Sequence, residues 1–242
     1  MILTEIDTIW VYLSASPLLS LFLTVSFYLG CYQLCRRFRL LRGVHPAVVT
    51  IIALICLLQL TGTSYQSYFE GAQFIHFLLG PATVMLAVPM FDNLARVRSM
   101  MMPLLSGCIA AVVASAFLTL GIATLLGAPP EIIASMAPKS VTVPIAMGVA
   151  ESLGGIPALT AAIVLITGII GCLTGPLVFR VLGVHDHTVK GFTMGASAHG
   201  FGTAQSFASI SALAGAFSGL AMGCVGLATA IMLPIFMRVF AL

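Results

Sequence analysis

The residues best suited to chemistry lie in one stretch, 136–155, which reads M-A-P-K-S-V-T-V-P-I-A-M-G-V-A-E-S-L-G-G. It combines a lysine, a glutamate, hydroxyl side chains, prolines and glycines within a strongly apolar chain. Charged side chains and irregular backbone occur at membrane depth only where protein or a water-filled cavity surrounds them. We therefore interpret this stretch as one wall of an internal site. The stretch 195–205, G-A-S-A-H-G-F-G-T-A-Q, has the same character.

Lys139 is the only lysine with apolar sequence on both sides. Burial of an ammonium group is unfavourable unless the group is paired or binds an anion. Pro138 before it, and Ser140 and Thr142 after it, predict a helix start with hydroxyl donors, and a helix N-terminus with a lysine favours anions. The sequence thus predicts an anion site at Lys139, Ser140 and Thr142. The alternative is a lysine that extends to the outer interface.

A second group of candidates surrounds His199, with Ser197 and Thr203 as hydroxyl partners. The glycines around His199 allow close backbone approach, and its imidazole can donate to a carboxylate or titrate near neutral pH. Glu151 can pair with Lys139 or another cation, or carry a coupling proton. The alternatives are an interior histidine with satisfied hydrogen bonds and an interfacial carboxylate.

The composition indicates an integral membrane protein. Hydrophobic residues make up 60% and charged residues 7% of the 242 residues, and the mean hydropathy is +1.14. Soluble domains carry about 25% charged residues, so this chain cannot cover a soluble surface. The enzyme motifs G-x-S-x-G, H-E-x-x-H and G-x-x-x-x-G-K are absent from the sequence, so we expect no enzyme. We also predict no cofactor, no metal site and no nucleic-acid partner.

Apolar runs of spanning length predict an all-α polytopic membrane protein with about seven to eight transmembrane helices. The runs are 10–35, 45–63, 74–93, 100–126, 156–180 and a last one that ends at 238, with a glycine-interrupted segment at 191–207 before it. The arginines of 36–42 predict a cytoplasmic loop and hence an N-terminus outside. The segment 64–71 is predicted as an outer loop, and 181–190 as a short loop with solvated histidines.

The stretch 129–155 allows two layouts. A single crossing gives eight spans and places Arg180, Lys190 and Arg238 outside. A re-entrant hairpin that dips in and returns gives about seven spans and places all three inside, which obeys the positive-inside rule. We favour the hairpin, and the eight-span layout stays open.

An internal repeat supports the hairpin. The segment 45–54, H-P-A-V-V-T-I-I-A-L, resembles 156–165, I-P-A-L-T-A-A-I-V-L. In each half a glycine-interrupted helix follows, at Gly80-Pro81 and at 195–202. Inverted repeats with interrupted helices are typical of secondary transporters.

We therefore treat 1–242 as a single integral membrane domain with repeats at 10–127 and 128–242. The interrupted helix of the first repeat would add Pro81 and Thr83 to the substrate site, because broken helices expose backbone groups.

Four blocks of this sequence resemble the LrgB/CidB family. They are 78–89 (L-L-G-P-A-T-V-M-L-A-V-P), 138–155, 173–176 (L-T-G-P) and 197–204 (S-A-H-G-F-G-T-A). The family is described as holin- or antiholin-like, and as modulating murein hydrolase export and autolysis beside a small LrgA/CidA-type partner. Its plastid relatives resemble glycolate/glycerate carriers, and some bacterial members are implicated in pyruvate uptake. The family pattern has a basic residue after G-T-A, where this chain has Gln205.

The resemblance implies a multi-pass secondary transporter of small monocarboxylates, of the pyruvate, lactate, glycolate or glycerate type, in a bacterial inner membrane. On this hypothesis Lys139, Ser140 and Thr142 bind the carboxylate. His199 contacts the substrate or a proton.

The alternative hypothesis is a holin- or antiholin-like protein that acts through oligomerisation and through the LrgA/CidA-type partner. Its assembly surfaces would be small-residue faces such as Gly215, Gly219 and Gly223. We also expect the chain to form a homo-oligomer.

Overall fold

The computed structural model describes residues 17–38, 46–78, 81, 84, 85 and 87–239, and these residues form helices and no strand. The helices are α1 (Pro17–Arg37), α2 (Pro46–Thr61), α3 (Tyr65–Phe77), α4 (Ala87–Asp92), α5 (Leu94–Ser99), α6 (Met101–Leu125), α7 (Pro130–Met136), α8 (Val143–Ser152), α9 (Pro157–Val181), α10 (His187–Ser209) and α11 (Ala212–Val239). The chain divides into two compact units, Met1–Met85 and Leu86–Leu242. This boundary differs from the repeat boundary at 127/128, which stays a prediction.

Four helices of the described residues are long and apolar enough to cross a membrane: Leu18–Arg37 of α1, α6, α9 and Ala212–Arg238 of α11. Shorter apolar helices include α2 and α8. Each of these four approaches or exceeds the length of about 20 residues that a span needs. The prediction of an all-α polytopic membrane protein is therefore confirmed.

The first unit contains α1, α2 and α3. The Thr24 and Tyr68 hydroxyl groups lie 2.6 Å apart and join α1 to α3. The prediction of an outer loop at 64–71 is wrong, because α3 begins at Tyr65 and includes Glu70. The predicted break at Gly80-Pro81 falls partly on residues outside the described ones, and Pro81 itself is exposed.

In the second unit, α7, a turn and α8 form a re-entrant element that we call hairpin 1 (residues 130–155). Prolines at the first turns of α7, α8 and α9 suit helix starts because no backbone N–H is needed there. Ser135, in the last turn of α7, bonds to the chain that follows α8: its hydroxyl accepts from the Ile156 N–H at 2.7 Å, and its carbonyl accepts from Thr160 Oγ1 at 3.0 Å. Because residues 135 and 156 lie side by side, the chain between them turns back on itself, which favours the re-entrant layout over a single crossing.

The polypeptide of α10 forms a second re-entrant element, hairpin 2 (residues 187–211). The helix breaks at His199, which has φ 41° and ψ −124°. A Cβ built on Gly202 would overlap the Met194 carbonyl, which lies eight residues earlier in the sequence. Since eight residues of continuous helix span about 12 Å, the segment 200–209 must run back along 187–198. His187 Nδ1 and Ser211 Oγ, 2.9 Å apart, close the base.

The tips of both hairpins meet at mid-depth of the second unit. Val141 of hairpin 1 and Ala196 of hairpin 2 belong to one buried cluster with Val112, Val164 and Val225, which lie in the middle stretches of α6, α9 and α11. The base of hairpin 1 instead packs near the end of α11, because Ile133 and Ala134 share a cluster with Leu233 and Met237. The two hairpins therefore enter from opposite ends.

This arrangement corrects one charge placement. The helix α11 begins beside His187 and runs for 28 residues, which is about 42 Å of helix. Arg238 therefore lies at the opposite end from Arg180 and Lys190. The prediction that all three share one face is wrong, because the segment 191–207 returns to its own side instead of crossing.

Candidate functional site

A cavity of about 740 Å³ lies beside both hairpin tips in the second unit. Its polar lining residues are Ser115 and Thr119 of α6, Lys139 and Ser140 of hairpin 1, Thr167 of α9, and Thr193 and Ser197 of hairpin 2. Its apolar lining includes Phe192, Met136, the exposed α6 side chains Leu118 and Ile122, and Leu126 just after α6. A cavity with an apolar wall and a few convergent polar groups is the usual form of a small-molecule site.

Lys139 is the single charged residue of this lining. It lies in the turn between α7 and α8, partly buried, where its ammonium donates a hydrogen bond to Thr119 Oγ1. Among the described residues it has no carboxylate partner, since the ion pair that they form joins Arg96 to Asp186. The ammonium therefore faces the cavity with a hydroxyl neighbour and with donor capacity left for an anion.

Ser140 extends the polar strip across to α6. Its Oγ lies 3.1 Å from Ser115 Oγ, and Thr119 Oγ1 donates to the Ser115 carbonyl at 2.6 Å. Residues 115 and 119 are four apart, so they lie on one face of α6. Sequence reasoning missed both, although an i, i+4 pair of hydroxyls in an otherwise apolar span was a usable signal.

The wall that hairpin 2 supplies is polar but uncharged. Ser197 lines the cavity, and its Oγ donates to the Thr193 carbonyl at 2.7 Å rather than to His199. Thr193 lies one turn earlier on the same face and was not predicted. Thr167 of α9 completes the lining, with its hydroxyl donating to the Ile163 carbonyl at 2.8 Å.

His199 lies outside the cavity lining. It is 4% exposed, and Nε2 donates to the Val164 carbonyl at 3.1 Å. A Cβ on Gly168 would lie 2.8 Å from His199 Cε1, so the glycine at this position of α9 leaves room for the imidazole ring. Phe201 approaches edge-on at 6.1 Å between ring centroids. The structure thus places His199 at the bend of hairpin 2, packed against α9.

Three further candidates are also placed away from the cavity lining. Thr203 is buried and donates to the His199 carbonyl at 3.0 Å, with Ser218 Oγ 3.1 Å away. Thr142 is the N-cap residue of α8 and makes no side-chain capping bond. Glu151 is exposed near the far end of α8, about 12 Å of helix from its start, so it does not pair with Lys139.

The remaining predicted residues belong elsewhere. Pro81 lies in the first unit, and Thr83 lies outside the described residues. No group of three or more histidine, cysteine, aspartate or glutamate side chains that could hold a metal occurs among the described residues.

The predicted polar loop 181–190 is only partly a loop. The helix α10 begins at His187, and Asp186 is its N-cap, with Oδ1 accepting from the Thr188 N–H at 2.7 Å and the Val189 N–H at 3.1 Å. Asp186 Oδ2 also accepts from Arg96 at 3.2 Å. The hydrogen bond from the Val189 N–H, with that from the Thr188 N–H and the charge of Arg96, lowers the pKa of the Asp186 carboxyl. These effects outweigh the slight desolvation, which raises it. This group anchors the base of hairpin 2 to α5.

Comparison with known proteins identifies the family of this chain. Residues 24–239 match the model of the LrgB-like family. The chain belongs to the LrgB-like family. The two blocks that carried the resemblance most strongly, 138–155 and 197–204, form most of hairpin 1 and the bend of hairpin 2.

Several bacterial proteins are similar to this LrgB-like chain over most of their length. The uncharacterized protein YwbG of Bacillus subtilis is 35% identical over 85% of this chain and 90% of its own. An uncharacterized protein of Haemophilus influenzae is 34% identical over 88% of this chain and 91% of its own. The holin-like protein CidB of Staphylococcus epidermidis is 27% identical over 81% of this chain and 86% of its own. No solved structure matches.

Proposed function

We propose that this LrgB-like protein is a secondary transporter of small monocarboxylates, which bind at Lys139 in the cavity between the hairpin tips. The observation that carries the proposal is the placement of Lys139. It is a partly buried cation in a mostly apolar cavity, with a hydroxyl neighbour and no carboxylate partner among the described residues.

The chemistry of the lining favours one carboxylate with a small polar substituent. A single ammonium balances a single negative charge, and burial of a charge is tolerated when it is paired and hydrogen-bonded. The hydroxyls of Ser115, Ser140 and Ser197 can bind a 2-oxo or 2-hydroxy group. The apolar wall at Phe192 suits a short carbon chain.

The two hairpins support transport rather than simple binding. They enter from opposite ends, and their tips meet at mid-depth beside the cavity. Secondary transporters place a site near the midplane between inverted elements with interrupted helices, and expose it alternately to each side.

Orientation follows from charge. Arg96, Arg98, Arg180 and Lys190 cluster at one end of the second unit, whereas the other end has Arg238 with Glu131 and Glu151. By the positive-inside rule the arginine-rich end is cytoplasmic. We propose a bacterial inner-membrane location, with the base of hairpin 2 in the cytoplasm and the base of hairpin 1 outside.

The test is uptake by purified protein in proteoliposomes, with pyruvate, lactate, glycolate and glycerate as labelled substrates. We expect saturable uptake or exchange of at least one, and its loss in Lys139→Ala. Arg238→Gln is the matched control, because Arg238 is an exposed cation at the end of α11 and away from the cavity. Uptake that is absent for all four acids, or unaffected by Lys139→Ala, would contradict the proposal.

A second candidate function is the holin-like one, which the name of the CidB relative favours. It requires assembly surfaces. Gly215, however, packs on Phe207 of its own chain, whereas Gly223 faces open space, so one part of the small-residue face is available to a second copy or to an LrgA/CidA-type partner. Non-selective dye leakage from the same proteoliposomes, unchanged by Lys139→Ala, would favour this function.

A further inference from the structure

A second cavity, of about 440 Å³, lies at the base of hairpin 2, where α9 ends and α10 begins. The polar residues that line it are Arg180, His185, His187, Lys190, Gln205 and Ser209. It is separate from the Lys139 cavity, since the two share no lining residue.

The charges of this second cavity are not balanced. Arg180 and Lys190 form no ion pair with any of the described residues, and no carboxylate lines the cavity. The carboxylate of Asp186, which precedes α10, is already used: one oxygen caps the helix and the other accepts from Arg96. Two uncompensated cations in one concave site attract an anion.

Further donors are fixed in place around these cations. The His187 ring is held by the contact of Nδ1 with Ser211 Oγ at 2.9 Å, which leaves Nε2 for another partner. Gln205 is held by a bond from Nε2 to the Cys172 carbonyl at 3.1 Å. The cavity thus combines two positive charges with hydrogen-bonding groups on both helical arms of hairpin 2 and on α9.

Exposed apolar side chains lie at the end of α9, beside Arg180 in the sequence. Leu177 is 57%, Val181 75% and Leu182 70% exposed. A basic pocket at the membrane end of helices that also carry exposed apolar side chains is suited to the headgroup and acyl-chain regions of an anionic lipid.

We propose that this cavity binds a phosphate group, with Arg180 and Lys190 as its charge partners. A phosphate monoester carries a charge of roughly −1.5 to −2 at neutral pH. It therefore balances two cations better than a monocarboxylate does. The group can belong to the headgroup of an anionic lipid or to a soluble phosphate. This proposal does not rest on the transport function.

The test is ligand-induced thermal stabilisation of the full-length protein in neutral detergent. Dioleoylphosphatidic acid, inorganic phosphate, dioleoylphosphatidylcholine and sodium pyruvate are titrated in parallel. We expect phosphatidic acid to raise the unfolding midpoint and phosphatidylcholine to leave it unchanged. An equal effect of inorganic phosphate would identify a soluble phosphate as sufficient, whereas an effect of phosphatidic acid alone would identify the lipid.

The variants decide whether the cavity is responsible. Arg180→Gln with Lys190→Gln should weaken the apparent affinity at least about tenfold, because two charge-assisted contacts are removed. Arg98→Gln, an exposed cation at the same end that does not line the cavity, should bind like the wild type. Lys190→Gln alone is measured as well, so that a folding defect of the double variant does not end the test.

Three results would overturn the proposal. These are no stabilisation by either phosphate compound, stabilisation that survives in the Lys190→Gln and double variants, and stabilisation by pyruvate alone.

Discussion

The two re-entrant hairpins have the same outline but different tips. The tip of hairpin 1 is a turn of several residues that holds Lys139 and Ser140 at the cavity. The tip of hairpin 2 is a single bend at His199, whose side chain packs against α9 while Ser197 and Thr193 reach the cavity. Charge for a ligand is thus on one hairpin, and backbone strain is on the other. On the proposed function, hairpin 1 supplies the charge that binds the ligand and hairpin 2 supplies the shape of the wall.

The largest expected effect follows from removing the charge. Lys139→Ala should lower carboxylate uptake roughly 10- to 100-fold, as expected for loss of a charge-assisted contact. Ser197→Ala, on the opposite hairpin, should lower it only a few-fold, because Ser197 already donates to its own helix. Initial uptake rates in proteoliposomes at equal protein content measure both. Equal losses would erase the distinction between the two tips.

The second effect concerns packing. A Cβ on Gly195 of hairpin 2 would overlap the Ser218 carbonyl of α11, whereas a Cβ on Gly148 of hairpin 1 meets nothing within 4 Å. Gly195→Ala should therefore cost about 2–3 kcal/mol through forced backbone shifts. Gly148→Ala should be neutral or stabilising by up to about 1 kcal/mol from helix propensity. Thermal unfolding in detergent compares them, and similar midpoints would refute the close contact between hairpin 2 and α11.

The third effect tests the strain at the bend. His199 has a positive φ that residues with a Cβ rarely adopt. His199→Gly should be more stable than His199→Ala by roughly 1 kcal/mol, since glycine accepts this conformation and alanine does not. Inside an ordinary helix the order is reversed. An alanine variant that melts higher than the glycine variant would show that the bend is unstrained.

The smallest effect compares the two helix caps. Asp186→Ala at the start of hairpin 2 removes two capping bonds and should cost about 1 kcal/mol, whereas Thr142→Ala at α8 removes no capping bond and should cost less. Asp186→Asn should retain most of the cap.

The cap at Asp186 also predicts a pH dependence. Because the folded pKa of Asp186 is lowered, its stabilisation is present above the unfolded pKa of about 3.9 and is lost as the pH falls through the folded value. The difference in unfolding midpoint between wild type and Asp186→Ala should thus shrink in acid. A constant difference down to low pH would contradict the ionic cap.

Much of this could be predicted from the sequence, and the limits have physical causes. The spans of α6 and α9 followed from apolar length. The re-entrant layout of 129–155 was favoured by placing Arg180, Lys190 and Arg238 on one face, and that placement is wrong for Arg238. The cavity position of Lys139 followed from the cost of burying an ammonium. The glycines of 195–202 predicted the break in hairpin 2. The reversal was missed because glycines do not distinguish a kink in a crossing helix from a turn back, and because the residue with positive φ is His199. Thr119 was missed because a threonine within a helix usually bonds to its own backbone, as it also does here.

The two hydrogen bonds of Ser135 have a mechanical consequence. It fastens the base of hairpin 1 to the first turn of α9 through both a side chain and a carbonyl. On the proposed transport function, we expect hairpin 1 and α9 to move together against α6. A disulfide or crosslinker between α9 and α6 would lock the transport cycle, whereas one between α9 and α7 would leave it running.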